Sequence, residues 1–397
     1  MRFYTQQHRF YCGVDLHART LSLCIYDQAG KVVLEKTVAA NGLVFLEAIS
    51  PFRDDLVVGC ECMFCWYWLA DLCVDNQIAF VLGHALYMKA IYGAKAKNDK
   101  IDADKIARLL RGGNMPIAYV YPKGMRETRD LLRRRSYLVH KRSEVATHIR
   151  NTHSQYNLPA CTDALSCNAS RDAQAIAERF SDASVRQSIA IDLQLLEHFE
   201  ELILKVEKHL MGTAKIHDPQ SYARLQTMPG VGKILGMVLM YELHDIQRFA
   251  SVGDFLSYAR LVRCGHESAG KKQGSGGKKI GNAHLRWAFA EAALLFVVHN
   301  ERAKTWLQRQ TKKRGSKGKA LGILAARLAR AVYQMLRKEV DFDESRFWGQ
   351  RSSTTEPRIP TTKGRANVKG KGRSGKSKAG SNGKSKAGTK ILETAGR

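Results

Sequence analysis

The stretch that decides the fold is RFYCGVDLHARTLSLCIYDQAGKVVLEKTVAA, residues 9–40. Two of its runs, RFYCGVDLH and TLSLCIYD, are typical of strands, and DQAGK supplies a turn before a third run, VVLEKTVA. The spacing predicts a β-meander. One acid, Asp15, falls inside the first strand among residues that should face a core. A carboxylate there is costly unless a hydrogen-bonding partner or a cation compensates for burial.

Outward from the meander, strands and helices alternate up to about residue 115. We expect a helix over residues 43–49, a buried strand LVVGCE ending at Glu61, a helix over 64–75, a strand IAFVLGH, and helices near Tyr87 and over 100–111. The order βββαβαβα is that of an RNase H-like (RuvC-like) mixed sheet, although other α/β folds share long parts of it. Residues 1–115 are therefore predicted to be an α/β unit.

A pair of acids opens the last helix of this unit, in AKNDKIDADKIARLL. Asp99 and Asp102 are three residues apart, so their side chains fall on one face of the helix. With Asp15 and Glu61 they would form a hard oxygen site for Mg²⁺, suited to two-metal chemistry on a phosphodiester. The alternative is local: Asp99 as an N-cap and Asp102 as a favourable charge in the first turn.

Residues 123–215 have the pattern of long helices, which we interpret as a helical coiled-coil linker. Between residues 123 and 150 there are nine basic and three acidic residues. Such an excess favours nucleic-acid backbone contact, although a solvated face is the alternative. The candidate contacts are Arg133, Arg134, Arg135 and Arg142. Apolar steps of three and four over residues 185–212 predict the seam of an antiparallel hairpin or coiled coil.

Residues 221–345 predict a third, mostly helical unit. Its PGVG segment resembles a helix-hairpin-helix turn, in which Gly230 and Gly232 would let backbone N–H groups approach a phosphate; a plain helix–helix connection is equally compatible. The run LRWAFAEAALLFVV, residues 285–298, predicts a helix buried nearly all round.

A Gly/Lys-rich loop precedes that helix and contains Ser268. A loop serine among cations can meet a phosphate as a hydrogen-bond donor or as a nucleophile, and Ser275 could serve the donor role equally well. The loop lysines that we expect to contact nucleic acid are Lys271, Lys272, Lys278 and Lys279.

Composition limits the class of protein. The chain has 397 residues with a net charge of +27, which points to a polyanionic partner, nucleic acid before an anionic membrane surface. Residues 351–397, Gly/Ser/Lys-rich with a net charge of +11, predict a disordered tail.

Nine cysteines, several crowded between Cys60 and Cys73, suit a reduced compartment; buried thiols are favoured over a zinc site. Without a signal peptide or spanning segment, we expect a cytoplasmic, nucleoid-associated protein with no membrane partner.

Together the motifs GVDLH, GCE, AKNDKIDADKIARLL, TMPGVGKILG and ESAGKKQGSGGKKIGNAHLRWAFAEAA resemble the DEDD transposases of the IS110 insertion-sequence family, the bridge-RNA-guided recombinases. The resemblance covers residues 10–340. It implies a RuvC-like domain, a coiled-coil dimerisation element and a transposase domain.

The resemblance also implies roles for single residues. Asp15, Glu61, Asp99 and Asp102 would hold two Mg²⁺ ions, and Ser268 would attack DNA and hold it covalently. The serine would meet the acids of another protomer, so a dimer or tetramer is expected, and a structured non-coding guide RNA would choose the DNA. Ala269, between the serine and the glycine, departs from the family pattern and leaves Ser275 as a second candidate. A junction nuclease that uses water and a non-catalytic nucleic-acid-binding scaffold are the alternatives.

Overall fold

The computed structural model describes most of the chain. It describes residues 2–91, 98–161, 165, 172–262, 265–268, 271–275 and 280–349, with the backbone alone at residues 213–216, 266–268 and 272–275. The predicted tail, residues 351–397, lies outside this set, as do Lys278 and Lys279.

A five-stranded mixed sheet forms the first part of the molecule, with strand order β4-β3-β2-β5-β6. Its strands are β2 (Phe10–Leu16), β3 (Thr20–Asp27), β4 (Val32–Ala39), β5 (Leu56–Glu61) and β6 (Ala79–Gly83). The first three form the predicted antiparallel meander, and β5 and β6 add parallel to β2. Because β2, β3 and β5 are covered on both faces, they are apolar almost throughout, whereas the edge strand β4 is largely exposed.

Helices cover both faces of this sheet. They are α1 (Gly42–Ile49), α2 (Trp66–Asp75), α3 (Ala85–Ile91) and α4 (Asp99–Arg111). Two short strands that the sequence pattern did not predict, β1 (Phe3–Tyr4) and β7 (Met115–Pro116), pair with each other, antiparallel. Their two-residue length gives no readable periodicity.

Glycine determines how closely α4 lies on the sheet. A Cβ atom on Gly13 of β2 would stand 2.1 Å from the carbonyl oxygen of Ala103 and 2.4 Å from the amide nitrogen of Ala107. A Cβ on Gly59, the parallel partner of Gly13 on β5, would stand 2.7 Å from Leu110. Only hydrogen fits at these positions, so the helix backbone rests directly on the strands.

Two long helices form an antiparallel hairpin after the sheet: α5 (Met125–Gln155) and α7 (Ala183–His217), with the short α6 (Ala173–Ala177) against their far end. Cross-helix ion pairs give the direction, because the partner's number falls as the α5 number rises. The pairs are Arg135–Glu207 at 2.6 Å, Arg142–Glu200 at 2.6 Å and His148–Asp192 at 2.5 Å.

The remaining helices enclose the largest apolar core. They are α8 (Pro219–Gln226), α9 (Lys233–Leu243), α10 (Val252–Tyr258), α11 (Ala283–His299), α12 (Glu301–Arg314), α13 (Lys317–Lys338) and α14 (Glu344–Trp348). The sequence pattern did not predict α12 and α14, since α12 is strongly basic and α14 is only five residues long. No helix in the described part of the chain has the length and apolar character needed to span a bilayer.

Two expectations for this part were wrong. The α11 helix is buried on one face, and its other face leaves Leu294, Leu295 and Val298 exposed. Ser268 does not lie in an unstructured loop, because β8 (Gly265–Ser268) and β9 (Lys271–Ser275) pair as an antiparallel hairpin. Glycine and lysine mask the hairpin in the sequence, since neither residue type marks a strand.

A buried carboxylate joins the hairpin to the last helices. Glu242 of α9 is 1% exposed and accepts hydrogen bonds from Arg129 Nε at 3.0 Å, Arg133 Nε at 2.7 Å and Asn282 Nδ2 at 2.7 Å. Burial alone would raise the pKa of Glu242, but Arg133, Arg129 and Asn282 lower it to about 2. The carboxylate is therefore charged and satisfied, and removing it would leave the buried guanidinium of Arg129 and the half-buried guanidinium of Arg133 without their acid.

We expect Gly13→Ala to lower the free energy of unfolding by about 1–3 kcal/mol, because the new methyl group would overpack against the backbone of α4. Urea denaturation measures the loss. Gly322→Ala is the matched control, since a Cβ there meets nothing within 4 Å and alanine favours the helix. Equal stability of Gly13→Ala and the parent would show that the close approach of α4 is not a constraint.

We expect Glu242→Gln to cost about 3–5 kcal/mol of unfolding free energy at neutral pH. The pKa of Glu242 is lowered from 4.5 to about 2, so its contribution is complete above pH 4.5 and disappears as the pH falls towards 2. Denaturation at several pH values should show the parent and the variant converging in acid.

The control for this prediction is Glu301→Gln, which removes an exposed acid paired with Lys304. An exposed pair contributes at most about 1 kcal/mol. A Glu242→Gln variant as stable as this control would contradict the importance of the buried carboxylate.

Candidate active site

Asp15 is the centre of an acidic cluster where β2 ends under the beginning of α4. The residue is 8% exposed, and its Oδ2 atom lies 3.2 Å from Nε2 of His17. The same His17 nitrogen lies 3.5 Å from Oδ1 of Asp99. Asp15, His17 and Asp99 each offer one ligand atom within 4.8 Å of the others, which makes them a candidate metal site.

The first turn of α4 determines where Asp99 and Asp102 lie. The N-cap is Asn98, whose side chain accepts from the amide of Lys100 at 3.1 Å, so the alternative that Asp99 is the N-cap is wrong. Asp99 is the first helical residue and its carboxylate is left free to face His17. Asp102, one turn later, accepts from Lys105 Nζ at 2.8 Å.

Glu61 reaches the same face of the sheet by strand register. Val14 of β2 is paired with Cys60 of β5, so Asp15 and Glu61 come next on strands about 4.8 Å apart. Alternation along each strand puts them on the face of Gly13 and Gly59, the face on which α4 lies. Asp15 and Glu61 thus share one face and one end of the sheet, whereas the ligand atoms that lie within 4.8 Å of one another belong to Asp15, His17 and Asp99.

Electrostatics favour a cation at this cluster. Burial raises the pKa of Asp15, the charge of His17 counteracts it, and the neighbouring acids Asp99 and Asp102 raise it further. Ionised Asp15 is therefore unfavourable without compensation. Two carboxylates and an imidazole whose ligand atoms lie within 4.8 Å of one another are donors that would hold a divalent cation, and its charge would offset the cost of ionised Asp15.

Sequence reasoning missed His17. The residue follows Asp15 by two positions, and strand alternation therefore puts both on the same face. That spacing was the available signal.

Three of the four predicted arginines of α5 bind glutamates of the protein itself. Arg133 binds Glu242, Arg135 binds Glu207 and Arg142 binds Glu200, whereas Arg134 is exposed with its guanidinium 5.4 Å from the ring of Tyr137. Much of the positive charge that the sequence assigned to a nucleic-acid surface is thus balanced internally.

Of the two predicted glycines, Gly230 packs against another helix and Gly232 is exposed. Gly230 has φ +85°, and a Cβ there would stand 2.5 Å from the amide nitrogen of Phe296 in α11. Because glycine has no side chain, the backbone of this turn packs directly against α11. Gly232 is the N-cap of α9 and is open, with nothing within 4 Å of a Cβ.

The candidate nucleophile lies on the β8–β9 hairpin. Ser268 ends β8 and pairs with Lys271, which begins β9; Ser275 ends β9 opposite Gly265. Lys271 is exposed, and Lys272 is placed by its backbone. The side chains of Ser268 and Ser275 lie outside the described part of the structure.

The fold and its acidic cluster can now be compared with known proteins. Residues 12–158 match a family model for DEDD transposases of the IS110 type, and residues 222–308 match the model described as "Transposase IS116/IS110/IS902 family". The two matches together cover more than half of the chain. The chain belongs to the IS110 family of transposases. It is therefore an enzyme that acts on DNA in transposition.

Similarity to individual transposases extends over most of the chain. The "Transposase for insertion sequence element IS1111A" of Coxiella burnetii is 24% identical over 337 residues, which are 82% of this chain and 89% of that protein. The "Putative transposase y4pF/y4sB" of Sinorhizobium fredii is 24% identical over 66% of this chain and 68% of its own length. The "Transposase for insertion sequence element IS1328" of Yersinia enterocolitica is 29% identical over 35% of this chain and 41% of its own length.

We expect Asp15→Asn to abolish metal binding and yet to leave the metal-free protein at least as stable as the parent, because the ionised carboxylate is unfavourable there. Binding of Mn²⁺, read from loss of the free-ion electron paramagnetic resonance signal, tests the first part. The second part is tested by thermal unfolding in EDTA, where the parent loses the ligand stabilisation that the variant never had.

His17→Ala should weaken Mn²⁺ binding without abolishing it, and Asp75→Asn, which removes an exposed acid outside the cluster, should change neither measurement. Normal Mn²⁺ affinity in Asp15→Asn would contradict the assignment of this cluster as a metal site.

Proposed function

We propose that this transposase cuts and rejoins DNA through a covalent link to Ser268, assisted by metal ions held by Asp15, Glu61, Asp99 and Asp102. The observation that carries the proposal is the grouping of Asp15, His17 and Asp99 within 4.8 Å of one another where β2 ends. Asp102 is near enough to raise the pKa of Asp15, and Glu61 supports the set by its register position on β5. The strand order β4-β3-β2-β5-β6 and the position of α4 support an RNase H-like, RuvC-like assignment.

The residues that would take part in the reaction are Ser268 and the acids around Asp15. The Ser268 hydroxyl attacks a DNA phosphorus atom, an Oγ–P bond forms, one P–O bond of the DNA breaks, and the departing oxygen leaves as a hydroxyl. A second strand's hydroxyl then attacks the phosphoserine and restores the free serine. Two Mg²⁺ ions would supply charge stabilisation at the scissile phosphate and lower the pKa of the attacking hydroxyl.

Retention of the phosphoester is the physical reason to prefer a serine to water. A serine hydroxyl is a poor nucleophile at neutral pH, so it requires activation. Once formed, the phosphoserine conserves the energy of the broken bond and lets exchange proceed without an external energy source. Hydrolysis would lose that energy, which suits a junction nuclease rather than a transposase.

The proposal extends to partners. We propose that Ser268 of one protomer meets the acids of another in a dimer or tetramer, and that a structured non-coding RNA selects the DNA. Residues 123–215 would supply the coiled-coil contact between protomers. The site of action would be cytoplasmic, at the nucleoid.

The experiment is a trapping assay with parent protein, Mg²⁺ and junction DNA, denatured and separated to detect DNA that stays attached to protein. We expect an adduct with the parent and with Ser275→Ala, and none with Ser268→Ala. If Ser268→Ala cleaves as fast as the parent and no adduct forms with either, water is the nucleophile and the serine mechanism is wrong.

Asp102→Asn separates catalysis from binding. We expect it to reduce cleavage by a factor on the order of 10²–10³, because a metal ligand that stabilises developing charge is lost, while DNA affinity in EDTA stays unchanged. Cleavage at the parent's rate would remove Asp102 from the site.

A further inference from the structure

A second strongly basic segment lies outside the acidic cluster and outside α5, where α12 turns into α13. We call residues 301–319 the basic turn; they contain eight basic residues and one acid. Gly315, with φ +66°, ends α12 in the left-handed conformation and lets the chain reverse into α13. The exposed cations of the basic turn are Arg302, Arg309, Lys312, Lys313, Arg314, Lys317 and Lys319.

Within the described ranges, the cations around the tip of the basic turn form no ion pair with an acid. Glu301 is the one acid of the segment, and its carboxylate binds Lys304 at 2.5 Å. Among the ion pairs of the described residues, none includes Lys312, Lys313, Arg314, Lys317 or Lys319. This differs from α5, whose Arg133, Arg135 and Arg142 each bind a glutamate.

The stability of α12 and α13 accounts for only some of the cations of the basic turn. Lys312, Lys313 and Arg314 lie in the last turn of α12, where cations interact favourably with the helix dipole. Lys317 and Lys319 lie in the first turn of α13, where cations are unfavourable and where no acid is present. Like charges crowded on both sides of Gly315 also repel one another. The arrangement costs stability, so an external anion is the simplest reason for it.

We propose that the basic turn binds the phosphate backbone of duplex DNA. Lysine and arginine at a tight helix–helix turn neutralise phosphates without reading bases. The nearby Trp306 is half-buried against Trp348 and is not free to stack on an unpaired base, which favours a duplex over a single strand. The inference rests on the DNA-acting character of the family and not on the metal-dependent chemistry proposed above.

The test compares two full-length variants that each lose three positive charges. Lys312→Gln/Lys313→Gln/Arg314→Gln removes the tip of the basic turn. Lys36→Gln/Lys205→Gln/Lys208→Gln removes three exposed lysines from β4 and α7. Affinity for a 30-base-pair DNA duplex and for an RNA hairpin of similar charge is measured by fluorescence anisotropy in EDTA over a range of salt concentrations, and thermal unfolding checks that both variants are folded.

We expect the basic-turn variant to lose about tenfold or more in DNA affinity at low salt, and the slope of log affinity against log salt to fall by about 2–3, since each lost phosphate contact contributes about 0.9. The control variant should change the slope by less than 1. Equal slopes for the two variants, or a loss confined to the RNA hairpin, would overturn the proposal. Because the assay contains no metal, failure of the serine mechanism would leave this result unaffected.

Discussion

Direct contact between the backbone of α4 and the side-chain-free Gly13 is the constraint on which the candidate active site depends. The contact lets the first turn of α4 reach the end of β2, where Asp15 is buried and where strand register brings Glu61. A larger residue at position 13 would lift the helix, and Asp99 and Asp102 would move with it. The acids therefore form a cluster because of a packing condition that involves none of them.

A second constraint is the use of arginine at the base of α5. Arg126 pairs with Asp71 of α2 and lies 4.6 Å from the ring of Tyr67, whereas Arg129 and Arg133 bind Glu242 on the opposite side. One helix thus holds the sheet and the last helices in a fixed relation through buried charges. Asn282 completes the arrangement, because it caps α11 and also donates to Glu242.

The sequence predicted what depends on near neighbours. Strand-like runs separated by a turn signal predicted the meander around Asp15, and the spacing of Asp99 and Asp102 predicted their common face. The sequence could not reveal that Arg133 binds Glu242, because the two residues are 109 positions apart. Nor could a continuous apolar run show that α11 leaves Leu294 and Val298 exposed, because hydrophobicity without periodicity does not define a face. His17 needed strand geometry as well as residue type.

The length of α5 has a consequence for how the molecule transmits force. Its 31 residues form an unbroken rod about 45 Å long, clamped at its first turns by Arg126, Arg129 and Arg133. The cross-pairs to α7 stiffen that rod against bending. If another molecule docked at the far end of α5 and displaced it slightly, the helix would act as a lever and exert a torque on its clamped base. That base lies between α2, through Asp71, and α9, through Glu242.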